Sequence, residues 1–106
     1  MILPEILTCY FDAVNRHHVD DASNCFTSDA LVHDEGRDHV GRAAVRAWLE
    51  ETTQKYHPKF EAMRCDANGD EFRVPAKVSG DFPGSPIDLT FDFTLVDGKI
   101  YKLIIG

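Results

Sequence analysis

The sequence predicts one α+β domain in which helices come first and an antiparallel sheet follows. Three observations carry this reading. Apolar residues recur with a helical period up to Pro58, they alternate with period 2 after it, and Asp97-Gly98 separates two alternating runs near the end. The length of 106 residues and the 43% hydrophobic content suit a single domain over residues 1–106. A chain of this size removes about two-thirds of its unfolded surface from water, enough for one core and one modest pocket.

Leu3, Ile6, Leu7, Tyr10, Phe11 and Val14 form the stripe of an amphipathic helix over residues 3 to 17, with Pro4 tolerated in its first turn. A short second helix starts with Asp20 as N-cap and buries Ala22, Cys25 and Phe26 before Ser28 and Asp29 interrupt it. Residues 30 to 34 read as a short strand, which puts Asp34 at a strand end, and Glu35 to His39 read as a polar loop. From Arg42 a third helix carries Val45, Trp48, Leu49, Thr52 and Tyr56 on one face until Pro58 stops it. Phe60 to Ala67 is a strand leading to a turn at Asn68-Gly69. Phe72, Val74, Ala76 and Val78 alternate along the next strand, where Pro75 marks an edge or a bulge.

The Asp97-Gly98 hairpin joins residues 87 to 96 to residues 99 to 105, and a two-residue loop pairs Val96 with Lys99 and hence Asp92 with Leu103. One face then carries Thr90, Asp92, Thr94, Tyr101, Leu103 and Ile105; the other carries Leu89, Phe91, Phe93, Leu95, Ile100, Lys102 and Ile104. Either face can point at the helices. If the mixed face lines a pocket, the apolar face needs a cover that the chain does not supply. A homodimer through Phe91, Phe93, Leu95, Ile100 and Ile104 is expected on that ground.

Charge and cysteine usage narrow the function. A net charge of -7 opposes nucleic acid and anionic membrane as partners, because cationic side chains supply that affinity. Cys9, Cys25 and Cys65 have no paired spacing, and His17, His18, His39 and His57 show no ligand spacing, so neither a disulfide scaffold nor a metal site is expected. The opening residues lack a basic start, a long apolar run and a cleavage site, and no stretch approaches the ~20 apolar residues of a membrane span. A soluble cytoplasmic protein is expected. No serine elbow or phosphate-cradling glycine loop is present.

Four segments carry a resemblance over nearly the whole chain: Tyr10 to His17 in the first helix, Asp29 to Asp34 in the first strand, Gly41 to Val45 opening the third helix, and Asp97 to Ile100 in the hairpin. Their order resembles the nuclear transport factor 2-like superfamily, whose SnoaL-like polyketide cyclases and ketosteroid isomerases are catalytic branches. The resemblance implies a cystatin-like cone: a curved antiparallel sheet with two to three helices on its concave face and a pocket at the wide end. It implies a helix tyrosine and a sheet acid as oxyanion hole, falling on Tyr10 and, by hairpin pairing, on Asp92. The strand-end base falls on Asp34. Supporting tyrosines of that family are replaced here by Phe26 and Leu49, and the chain ends at Gly106 without the family's C-terminal cover of the pocket.

A carboxylate at the mouth of an apolar pocket is shifted by desolvation toward the range useful for proton transfer, which makes Asp34 the expected general base. Tyr10 and Asp92 are the expected catalytic partners, stabilising a developing oxyanion if Asp92 is buried and protonated. An Asp92 on a solvated face beside Lys102 or Lys77 has no chemical role. Val14, Phe26, Val32, Trp48, Leu49, Val74, Ala76, Val78 and Leu103 are the expected lining, and His33 points away from Asp34 by alternation. The expected reaction is cofactor-free isomerisation or intramolecular aldol cyclisation of a compact apolar carbonyl compound. A non-catalytic ligand-binding or dimerisation module of the same fold is the alternative.

Overall fold

The computed structural model describes residues 1–106, which form three helices and seven strands. Helix α1 (Glu5–Asn15) forms because Leu7, Tyr10, Phe11 and Val14 share one face and are buried there. Pro4 stands just ahead of it, where a missing N–H is harmless, and the chain leaves the helix through His17 at a left-handed φ of 58°. The short α2 (Val19–Ser23) buries Ala22. Helix α3 (Arg42–Tyr56) buries Val45, Trp48 and Leu49 and stops at His57, also left-handed, directly before Pro58. The strands are β1 (Phe26–Asp34), β2 (Arg37–Val40), β3 (Lys59–Ala62), β4 (Asp66–Asn68), β5 (Glu71–Ser79), β6 (Ile87–Val96) and β7 (Lys99–Ile105). They form one curved, unclosed sheet in the order β2-β1-β7-β6-β5-β3, with β4 also on β5.

Several expectations are corrected. The sheet is mixed, because β1 pairs with β7 in parallel. The long connection from β1 through α3 and the later strands permits that pairing, which period-2 patterning cannot register. Phe26 opens β1 instead of extending α2, and the expected loop 35–39 contains the β1–β2 hairpin. Its two-residue turn, Glu35-Gly36, has φ of 53° and 72°, the doubly positive geometry for which Asn-Gly and Asp-Gly are the familiar signals. The expected strand 60–67 breaks at Met63 to Cys65, where three residues stand opposite Val74 and Pro75 of β5. The Met63 N–H donates to the Pro75 carbonyl at 2.8 Å, so the bulge expected at Pro75 is formed by its partner strand.

The final hairpin starts in the expected register, Val96 with Lys99 and Leu95 with Ile100, around Asp97 and Gly98 with φ of 52° and 75°. A shift then absorbs Tyr101, so Asp92 stands opposite Ile104 rather than Leu103. This shift puts Ile100 and Leu103 on the same side as Phe91 and Phe93. All four are buried within the chain. Phe91 and Phe93 pack edge-on against Phe11, and Phe93 against Tyr10, at centroid distances of 5.7 to 5.9 Å. The apolar face of the hairpin is therefore the one that faces the helices. Phe91, Phe93 and Ile100 cannot belong to an outer interface, and Leu95 packs against the core beside them. Ile104, 37% exposed, is the one member of the expected interface on the outside, so the need for a second subunit to cover the others disappears.

The sidedness makes a stability prediction. Phe93→Ala should cost about 3–5 kcal/mol by urea unfolding, the usual loss for a buried ring, whereas Asp92→Ala should cost under about 1 kcal/mol, as for an exposed ion pair. Equal losses would contradict the assignment of faces.

Candidate active site

A cavity of about 460 Å³ opens between the helices and the inner face of the sheet. Its wall is built by Tyr10 and Val14 of α1, by Trp48, Leu49, Thr52, Thr53 and Tyr56 of α3, and by Asp34 with Glu35 and Gly36 of the following turn. Phe60, Val78, Leu89, Phe91 and Ile105 close it from the sheet side, and Phe82 from the loop before β6. Of the residues expected from sequence, Tyr10, Asp34, Val14, Trp48, Leu49 and Val78 are in this wall. Phe26, Val32, Val74, Ala76 and Leu103 are not; they are fully buried in the solid core. The sequence reading missed Tyr56 and Thr52 as lining, although their spacing from Trp48 placed both on its helix face.

Asp34 is the last residue of β1, and the Trp48 indole N–H donates to its Oδ2 at 3.0 Å. The bond satisfies a buried indole donor and fixes the carboxylate at the same time. Burial raises the Asp34 pKa above its ordinary 3.8, and the adjacent Glu35 charge adds to the rise. The Trp48 bond, the Glu35 backbone N–H and His39 oppose it without cancelling it. His33 points out of the cavity, as alternation requires, and its Nδ1 is 2.6 Å from Asp38 Oδ1 on the surface.

Tyr10 is 1% exposed, and its hydroxyl has no hydrogen-bond partner within the chain. Because no fully occluded side-chain polar atom lacks a partner, the hydroxyl must reach the open space of the cavity it lines. Burial, and next the Asp34 charge, push its pKa up, so it remains a neutral O–H donor. Tyr10 and Asp34 thus meet in one site. Asp92 does not join them. It alternates with Phe91 and Phe93, lies on the opposite face of the sheet, and accepts a 2.8 Å bond from Arg73 Nε. The expected second oxyanion donor is therefore withdrawn. No three His, Cys, Asp or Glu side chains converge as a metal site would require. No Lys, Arg or His lines the cavity to hold a phosphate.

The model of the SnoaL-like domain matches residues 7–103. The chain belongs to the SnoaL-like family. A candidate polyketide cyclase from Sinorhizobium meliloti is similar to this SnoaL-like chain, with 41% identity over 98% of it and 95% of the other chain and a TM-score of 0.95. SalBIII, an epoxide hydrolase/cyclase-like enzyme with a role in pyran ring formation in the polyether salinomycin, is 26% identical over 95% of this chain and 86% of its own, with a TM-score of 0.85. A Catenulispora acidiphila protein with a ketosteroid isomerase-like fold, 18% identical over 99% of this chain and 86% of its own, superposes with a TM-score of 0.89 and shows the fold alone. No curated protein matches the chain.

The raised Asp34 pKa has a consequence for stability. A carboxyl that binds its proton more tightly when folded contributes stability that is fully present below its unfolded pKa, near 3.8, and is lost as pH rises through the folded value. Asp34→Asn keeps an oxygen to accept the Trp48 bond and removes this loss. Its melting temperature should match wild type in acid and exceed it progressively up to neutral pH. Parallel curves in thermal melts would contradict the desolvated carboxylate.

Proposed function

We propose that the cavity carries out cofactor-free acid–base chemistry on a compact apolar molecule containing a carbonyl, with Asp34 as the base. The observation that carries this reading is the meeting of an unpaired tyrosine hydroxyl and a desolvated carboxylate in one apolar cavity. Its volume falls within the range of small-molecule sites, roughly 300–1,000 Å³. Asp34 removes a proton from the carbon beside the carbonyl, the C–H electron pair forms the enolate C=C bond while the carbonyl π pair moves onto oxygen, and Tyr10 donates a hydrogen bond to the enolate oxygen that results. Trp48 donates to Oδ2 and no side chain donates to Oδ1, so Oδ1 is the oxygen assigned to the transferred proton. Asp34 then returns that proton to another carbon, giving an isomer. Alternatively the enolate carbon attacks a second carbonyl of the same molecule, the new alkoxide takes up the proton, and a ring closes.

The 41% identity to a candidate polyketide cyclase and the 26% identity to a pyran-forming enzyme support the ring-forming outcome. A single oxyanion donor suits a substrate whose C–H bond is already acidified by a second carbonyl. One observation favours ligand binding without turnover: Asp92 faces outward, so no second donor assists Tyr10.

Exchange in heavy water separates the two. Wild type should catalyse deuterium incorporation beside the carbonyl of a bound ketone such as acetylcyclohexane, followed by NMR. Asp34→Asn should reduce exchange to background while the ketone still binds, and Tyr10→Phe should slow it by about 10²–10³, the usual loss for an oxyanion donor. Binding with background exchange in wild type would establish the non-catalytic reading.

A further inference from the structure

The charged side chains that line the cavity have one sign. Asp34 and Glu35 supply them, and no cationic side chain reaches the wall. Much of the remaining wall is aromatic, from Tyr10, Trp48, Tyr56, Phe60, Phe82 and Phe91. An anionic ligand entering this site would lose hydration and meet like charge, so it is disfavoured twice. A cation would meet both carboxylates and ring faces able to attract it.

Glu35 is placed for this role by two features independent of Asp34. It occupies the first position of a turn at φ 53°, where Asn, Asp or Gly is easier; the other such turn of the chain uses Asp97 there. Its carboxylate is also tethered. The Tyr56 hydroxyl, from the last turn of α3, donates to Glu35 Oε1 at 2.9 Å and leaves Oε2 unoccupied at the exposed rim. Lys55 lies outside the wall, with its Nζ 5.1 Å from the Tyr56 ring centroid. At the buried side, the unpartnered Tyr10 hydroxyl calls for an acceptor.

A ligand that satisfies both ends has an acceptor oxygen at one end and a positive charge at the other. We infer that the cavity takes a compact lipophilic amine bearing a carbonyl, with its ammonium group seated at the rim against Glu35 and Asp34 and its carbonyl oxygen on Tyr10. The inference rests on the proton-transfer reading of the same cavity and narrows its substrates to amino ketones. Glu35 is then the residue that sets specificity.

Trp48 is the single tryptophan and lines the cavity, so its fluorescence reports occupancy. Three probes of similar size separate charge from shape at neutral pH: dimethylcyclohexylamine as cation, acetylcyclohexane as neutral ketone and cyclohexanecarboxylate as anion. The amine should bind about tenfold tighter than the ketone, a difference of about 1.4 kcal/mol, and the carboxylate should bind weakest. Glu35→Gln keeps the acceptor for Tyr56 and removes the charge. It should erase the amine's advantage over the ketone. If amine and ketone bind equally, or if the advantage survives in Glu35→Gln, the amine inference falls and the ketone-binding cavity stands. If no probe perturbs Trp48 up to millimolar concentration, the cavity reading fails and the inference fails with it.

Discussion

A carboxylate set at the edge of an apolar cavity needs a partner that tolerates burial, and here the partner is the Trp48 indole, which donates to Asp34 at 3.0 Å. The bond joins the middle of α3 to the end of β1, while Arg42 at the start of α3 ties the two elements at their other ends by donating to the Phe26 carbonyl at 2.8 Å. Desolvation and the neighbouring Glu35 raise the carboxyl's proton affinity, while the indole donor limits the rise. Desolvation of this kind moves a carboxyl toward the range useful for proton transfer. Tyr10 completes the pair because it is buried in the same wall with no competing partner for its hydroxyl.

The rest of the fold makes that site possible by sorting the sheet's two faces. The Tyr101 irregularity in β7 turns Leu103 inward beside Ile100, so the inner face is continuously apolar; the acid at position 92 lies outside with Arg73. The parallel seam between β1 and β7 then brings the end of β1, with Asp34, alongside that inner face. One strand irregularity thus completes the apolar inner face, while alternation with the buried Phe91 and Phe93 keeps Asp92 outside.

Much of this was legible in the sequence. The stripe from Leu7 to Val14, the stop at Pro58 and the Asp97-Gly98 turn are local signals, and each predicted its element. Asp34 at a strand end and Tyr10 on a helix's apolar stripe pointed to the two residues that the structure brings together. What escaped depends on longer range. Constant hairpin register was a fair assumption until Tyr101 broke it, and which hairpin face met the helices was decided by the packing of Phe91 and Phe93 on α1. Val32, Val74 and Leu103 carry the same pattern as Val14, Leu49 and Val78. Whether such a residue meets a neighbour or a cavity is decided by tertiary spacing, not by periodicity. Glu35-Gly36 was read as a loop because glutamate is an uncommon choice for the left-handed turn position it occupies.

The account stands on Asp34 being a desolvated acid steadied by Trp48, and an NMR titration of its carboxyl group in wild type and in Trp48→Phe tests this most directly. The wild-type midpoint should lie above 3.8, and it should rise further in Trp48→Phe, because the lost donor stabilised the ionised form. A wild-type midpoint at or below the ordinary value, or one that falls when the indole is removed, would contradict the account.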